Sequence, residues 1–244
     1  MRTGRTKDPR SWVRRLAAGS IARGDPTGWF EEAYRASQRR GRPIPWVDRR
    51  PNRWLVEWLE RARLDPVGSS ALVVGCGVGD DAEFLSSAGF RTTAFDIAPT
   101  AVAAARRRFP GSRVEYRVAD LFHAPPHWRR RFDLVVEAYT VQVLRGPARV
   151  AAIERIASFV RPGGRLLVVA RARRVRDPEG AMPWPLTQRE VLRFEVGGLA
   201  LTRLERLWDN EVPPVRRFRA EFVRPTPARS RRAVRRRRTP VGAL

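Results

Sequence analysis

Cysteine occurs once in this sequence, at Cys76, which excludes an intrachain disulfide and any zinc cluster built from cysteines. Histidine occurs twice, at His123 and His127. That spacing would suit a metal pair on a helix, but "APP" between them breaks one, so a polar loop is expected and no metal. No apolar run reaches the ~18 residues of a membrane span. Met1 to Arg23 is basic and lacks the apolar stretch of a secretion signal, so a cytoplasmic chain, and a monomer, is expected. Lysine is nearly missing, with Lys7 alone, and acids are scarce, 25 against 49 basic residues. The net charge of +24 is therefore almost all arginine, the skew that GC-rich codon usage produces.

That charge is uneven. From Arg224 to Leu244 there are eight arginines, several prolines, no acid and no aromatic side chain. Such a composition cannot bury a core, so residues 225–244 are expected to be a disordered basic tail. It could serve as an arm for nucleic acid or an anionic membrane surface, or be only a solvated tail. The lack of aromatics to stack on bases favours the solvated tail.

What is present is a regular alternation. Residues 1–27 read as a weakly ordered basic arm that could hold a short helix around "RSWVRRLAA". Residues 28–65 read as a helical cap: a helix in "TGWFEEAYRASQ" with Thr27 as N-cap, a proline-rich loop, then "NRWLVEWLERARL" with Trp54, Leu55, Trp58 and Leu59 on one face. From residue 71 the apolar runs "ALVVG", "RTTAFD", "RVEYRVAD", "FDLVVEA" and "RLLVVARA" alternate with helical stretches. Strands alternating with helices predict an α/β domain over 71–224, a mostly parallel sheet covered on both faces. A further helix is expected over "LTQREVLRFEVGG". "LALTRLERLWD" and "VRRFRAEFVR" then predict an antiparallel hairpin at the sheet edge.

The chemistry concentrates after the first strand, where "VVGCGVGDD" places Gly75, Gly77 and Gly79 around Cys76 and ahead of a helix opening on Asp80. Glycines so spaced allow a tight turn and close backbone approach to a ligand. The dinucleotide pattern G-x-G-x-x-G needs a glycine where Asp80 stands, and an acid there competes with a pyrophosphate for the helix N-terminus. A sulfonium ligand would tolerate it, which points away from NAD and toward S-adenosylmethionine. Asp96, followed by Ile97, closes the second strand where a carboxylate can accept from both ribose hydroxyls. Asp120, followed by Leu121, closes the third, placed for an adenine amino group.

With these motifs together, residues 71–171 resemble a class I S-adenosylmethionine-dependent methyltransferase, on "VVGCGVGD", "AFDIAP", "VADLF", "FDLVVEAYTVQVL" and "VRPGGRLLVVAR". The resemblance implies a Rossmann-like, doubly wound sheet of seven strands. One departure is Val73, where many members carry an acid. "GWFEEAY" with "IPWVDRRPNRWLVEWL" further resembles the thiopurine methyltransferase-like group of small-molecule enzymes, which implies that Trp29 and Trp46 fold over the cofactor; the other reading makes both core tryptophans.

After the fourth strand stands "EAYTVQ", not the Asn/Asp-Pro-Pro-Tyr of base N-methylation. Glu137 either caps the strand end or lines the pocket near the methyl group, and Tyr139 either faces the acceptor or packs. Methyl transfer is an in-line displacement, and a thiolate or other soft anion needs no base at neutral pH. No catalytic base is nominated, and a small-molecule acceptor, a thiol or similar soft nucleophile, is expected. "EGAMPWPLT", with Met182 and Trp184, could close over it or form a surface loop. The rivals are an RNA or protein methyltransferase steered by the basic tail, and a cofactor-binding module without catalysis.

Overall fold

The computed structural model describes residue 8 and residues 10–227. Three helices come first: α1 (Ser11–Ala22), α2 (Trp29–Arg40) and α3 (Arg53–Arg61). The alternating part follows with β1 (Ser70–Val74), α4 (Asp80–Ser87), β2 (Arg91–Asp96), α5 (Pro99–Arg108), β3 (Glu115–Val118), β4 (Phe132–Ala138), α6 (Gly146–Phe159) and β5 (Val160–Arg171). The chain then runs through α7 (Gln188–Leu192), β6 (Ala200–Trp208) and β7 (Arg216–Val223). Among the described residues, no helix is long and apolar enough to cross a membrane.

The seven strands form one sheet in the order β3-β2-β1-β4-β5-β7-β6. Strands β1 to β5 pair in parallel, and β7 runs antiparallel to both β5 and β6. The hairpin therefore sits at the edge as expected, with its reversed strand β7 inserted next to β5 and β6 outermost. The two-residue period of a strand sends successive side chains to opposite cores. Leu72, Val74, Leu166, Val168 and Ala170 enter the core under α6 and α7. Ala71, Val73, Leu167 and Val169 enter the core under α3, α4 and α5. Both faces of the central strands are dry, which is why they read as unbroken apolar runs.

Three local expectations need correction. The arm is not weakly ordered over residues 11–22: α1 buries Val13 and Ala17 against Trp29, Met182 and Trp184. The N-cap of α2 falls at Gly28, and Asp25 satisfies the leading amides, its Oδ1 accepting from Thr27 N at 2.9 Å and Gly28 N at 2.8 Å. The helix expected over 186–198 shortens to α7 and one 3₁₀ turn (Arg193–Glu195), because Gly197 and Gly198 both take positive φ. The basic tail lies, past residue 227, outside the described residues.

Candidate active site

The carboxyl ends of β1, β2, β3 and β4 and the cap helices enclose a cavity of about 720 Å³. It lies at the point where the strand order reverses between β1 and β4, the usual ligand crevice of an open α/β sheet. Its size suits a nucleoside-sized cofactor with a small second ligand.

Backbone builds the β1–β3 end. Gly75 and Gly77 take φ of +63° and +54°, a region open to glycine and strained for other residues. A Cβ on Gly77 would stand 2.9 Å from Tyr34 Oη, and one on Gly75 2.6 Å from Thr140 Oγ1. Asp96 is buried at the end of β2, its Oδ2 accepting from Gly77 N at 2.9 Å and its Oδ1 from Ala98 N at 2.9 Å. The carboxylate thus holds the glycine loop in place while lining the cavity. Burial raises the Asp96 pKa and these amides oppose the rise. Asp120 accepts from Phe122 N at 2.9 Å and has His123 Nδ1 2.6 Å from its Oδ2; Ile97, Leu121 and Phe122 line the wall beside it.

Gly79 keeps the helix-packing role expected of the third glycine but not a place on the cofactor, and Asp80 differs from the sequence reading. Gly79 does not line the cavity. It takes φ +97°, and a Cβ there would stand 2.4 Å from Tyr116 Oη and 3.2 Å from Ala105 Cβ, so it lets α4 seat against β3 and α5. Asp80 does line it, but Arg108 grips both its oxygens at 2.7 and 3.0 Å. With its charge paired, Asp80 repels an anion less than the bare sequence implied. Neighbouring Asp81 is the more perturbed acid: burial lifts its pKa to about 6, and its Oδ1 accepts from Asn52 N at 2.7 Å, tying α4 to the start of α3. Cys76 is buried beside the loop, its thiol pKa pushed well up by burial and by Asp96.

The cap closes the roof. Trp29 is fully buried, stacked on Phe30 and packed in the cluster with α1, Met182 and Trp184. Trp46 is 37% exposed on the cavity wall, and its Nε1 donates to Tyr34 Oη at 3.1 Å. The two expected lid tryptophans therefore differ: Trp29 is core with one edge on the cavity, and Trp46 is rim. Of the pair in "EGAMPWPLT", Met182 reaches the cavity, whereas Trp184 packs into the cap with Arg145 Cζ 4.8 Å above its ring.

Side chains build the far end, between β4, β5 and the β6–β7 turn. Glu137 does not line the cavity. It is wholly buried, its Oε1 accepting from Thr140 N at 2.7 Å and Val141 N at 3.0 Å, with Oε2 unpartnered and burial lifting its pKa to about 7. It caps the turn from which Tyr139 projects, at φ +65°, into the cavity. The Tyr139 ring lies 5.3 Å from Arg217 Cζ. Arg217 and Arg171 line the same end, with Asn52, Gln142, Asp209 and Glu211. Arg217 Nη2 bonds Glu211 Oε1 at 2.5 Å and pairs with Asp209, while Arg171 Nη2 reaches both oxygens of Glu211 at 2.7 and 2.8 Å.

Sequence reasoning passed over Tyr34, Asp81, Arg171, Arg217 and Glu211. The signal for Tyr34 was present, in "GWFEEAY". For β7, "VRRFRAEFVR" predicted one strand of an edge hairpin, with Phe218 and Phe222 on one face and nothing assigned to the other. The structure covers that other face as well: Arg219 donates to Trp54 O at 3.1 Å and to Glu205 at 2.6 Å, and Glu221 accepts from Trp58 Nε1 at 3.0 Å.

Comparison with known proteins agrees with this geometry. Residues 71–164 match the family model of a methyltransferase domain. Over 109 residues the chain is 35% identical to the ubiquinone biosynthesis O-methyltransferase of Xanthomonas axonopodis pv. citri, covering 44% of this chain and 45% of that protein. The chain thus spans less than half the length of this curated relative. Its fold resembles that of the N-methyltransferase NodS of Bradyrhizobium japonicum in complex with S-adenosyl-L-homocysteine, at a TM-score of 0.63, 20% identity and coverage of 79% of this chain and 98% of that one. It also resembles a protein whose structure concerns conversion of a disulfide bond into a thioacetal group during echinomycin biosynthesis, at a TM-score of 0.68, 20% identity and coverage of 84% and 93%. Over residues 71–164 this chain is therefore similar to methyltransferase domains, on a Rossmann-like sheet that it shares with S-adenosylmethionine-dependent methyltransferases.

Proposed function

We propose that the chain transfers a methyl group from S-adenosylmethionine to a small-molecule acceptor. The observation that carries this reading is the single cavity in which the Gly75–Gly77 turn, Asp96 and Asp120 form one end and Tyr139 with polar side chains forms the other. The residues present suit the cofactor. The glycine turn has no room for a Cβ, Asp96 and Asp120 are acceptors for hydroxyl and amino groups, and Trp46 offers an aromatic wall to a sulfonium. Bound there, S-adenosylmethionine supplies an electrophilic methyl group, which the acceptor's lone pair takes while sulfur keeps the electrons of the broken bond.

The chain's own part is to hold the two ligands in line and exclude water. None of the three carboxyls raised by burial is set as a base at the acceptor: Glu137 is turned into the β4 turn, Asp81 is bonded to the Asn52 amide, and Asp96 is held by the Gly77 and Ala98 amides at the cofactor end. A thiolate or other soft anion, which needs no proton removed at neutral pH, is accordingly the favoured nucleophile. The likeness of the cap to thiopurine methyltransferase-like enzymes belongs to this proposal and rests on Trp46 and the loop that carries it.

Titration calorimetry with S-adenosylmethionine and its demethylated product tests the cofactor reading. Micromolar binding is expected, with Asp96→Ala weaker by about a hundredfold, the size of one or two lost hydrogen bonds to a charged group. No binding at millimolar cofactor would overturn it. Labelled-methyl transfer to thiols, phenols and total RNA tests the acceptor class, and labelling of RNA alone would overturn the small-molecule reading.

A further inference from the structure

The polar end of the cavity carries a specific charge arrangement. Arg171 and Arg217 line it, and both reach Glu211 on the β6–β7 turn, with Arg10 Nη2 3.7 Å from the same carboxylate. The two acids on that turn are held in different ways. The Asp209 side chain is buried and forms part of the turn, its Oδ1 accepting from Glu211 N at 3.1 Å and Val215 N at 2.9 Å. The Glu211 side chain is 38% exposed, and its hydrogen bonds all come from the arginines. Without Glu211 the buried set is two guanidiniums and one carboxylate, which leaves one positive charge to balance. Arg217 is 5% exposed and its Nε and Nη1 have no hydrogen-bond partner, so the guanidinium is short of acceptors even with Glu211 in place. Burial and the neighbouring Arg217 also pull the Arg171 pKa down, the sign of like charges held together out of water.

We propose that the acceptor is a small molecule bearing one carboxylate, bound by Arg171 and Arg217 in the place that Glu211 takes here. The forked guanidinium matches a carboxylate in plane and spacing, and two of them sharing one carboxylate give orientation as well as attraction. Glu211 is then an internal competitor on the hairpin, and the acceptor must displace it to bind. The arrangement holds the anionic group at the β5–β7 side of the cavity, with Tyr139 against Arg217 as its wall. This inference rests on the methyltransferase reading for the word acceptor, but anion binding by the two arginines does not need it.

The experiment uses matched pairs that differ only in charge. Binding of propionate and propionamide is measured by calorimetry with S-adenosylhomocysteine present. Turnover is measured with 3-mercaptopropionate against 3-mercaptopropionamide and with 4-hydroxybenzoate against 4-hydroxybenzamide. The carboxylates are expected to be favoured by about tenfold or more in Kd and KM, with the preference shrinking as salt rises. Arg171→Gln should abolish the preference, so that acid and amide give the same Kd and KM. Glu211→Gln should tighten carboxylate binding severalfold, an outcome that a merely structural Glu211 would not give. Unaltered S-adenosylhomocysteine affinity in both variants shows that the fold and the cofactor end are intact.

Equal binding of acid and amide, weaker carboxylate binding in Glu211→Gln, or no carboxylate binding in either protein would overturn the proposal. Binding of inorganic phosphate with none of propionate would overturn it too, in favour of a phosphorylated ligand. Should S-adenosylhomocysteine fail to bind while propionate still prefers the wild-type arginines, the methyltransferase reading falls and the anion site stands.

Discussion

The two ends of the cavity are built on opposite plans. At the β1–β3 end, main chain does the shaping: glycines at positive φ make the turn, and the Asp96 carboxylate is pinned by two amides. At the β5–β7 end, long side chains do it, arginines and carboxylates from three segments meeting around Tyr139. Backbone turns tolerate few substitutions and so suit a part common to many proteins. Side-chain clusters can be exchanged one residue at a time, which suits the part that must recognise one acceptor among many.

That contrast can be broken at either end. The largest effect is expected from Arg217→Met, which leaves the buried Asp209 carboxylate without its counter-charge and should cost about 3–5 kcal/mol in chemical denaturation. Arg171→Gln, whose main partner is the half-exposed Glu211, should cost far less. An equal loss for both would mean that the acceptor end is one rigid block.

Second in size is a pH effect that compares the ends directly. Asp81 and Glu137 have native pKa values raised to about 6 and about 7 from ordinary carboxyl values, so between roughly pH 4.5 and 7.5 the native state binds protons that the unfolded chain has released. Stability should therefore fall as pH rises through that window, on the order of 3 kcal/mol for each of the two groups. Carboxyls held low in the native state, such as Glu31 and Asp133, give their stability above their unfolded pKa and leave this window nearly flat. Glu137→Gln should remove the upper part of the slope and Asp81→Asn the lower part. Denaturation curves at half-unit pH steps measure both, and a slope unchanged in the two variants would refute the assignment.

Third, Gly77→Ala places a Cβ 2.9 Å from Tyr34 Oη at a positive φ. An expected loss of about 2 kcal/mol is about thirtyfold in cofactor affinity by calorimetry, with propionate binding unaffected. The smallest effect belongs to Trp46→Ala. This side chain is on the rim, so a few-fold loss of cofactor affinity is expected with a melting temperature within a few degrees of wild type. A large drop in melting temperature would make Trp46 part of the cap's core, like Trp29.

The β1–β3 end was legible in the sequence because its determinants are local. Gly75 and Gly77 follow β1 within three residues, Asp96 is the last residue of β2, Asp120 stands two beyond β3, and the parallel fold brings strand ends to one edge. The misreadings have physical causes of the same kind. Asp80 was judged by its place at a helix start, and only the fold brings Arg108 from α5 against it. Glu137, next to last in β4, was open to two readings, and the turn after it folds back so that its carboxylate serves two amides, which is the capping reading and not the pocket one. The weakly ordered arm was inferred from charge, and α1 becomes a packed helix because Val13 and Ala17 find Trp29 and Met182.

The sequence by itself determined the alternating sheet, the glycine turn and the acids that close β2 and β3, because strand period and φ preference act within a few residues. The β5–β7 end of the cavity was decided only by tertiary structure. Inserting β7 beside β5 carries Arg217 to Arg171, and the turn that follows β6 lays Glu211 across both. No local rule marks two arginines so far apart in the chain as partners. Their meaning comes from sharing one carboxylate, Glu211, at a distance that only long-range packing sets, with Arg217 buried beside it.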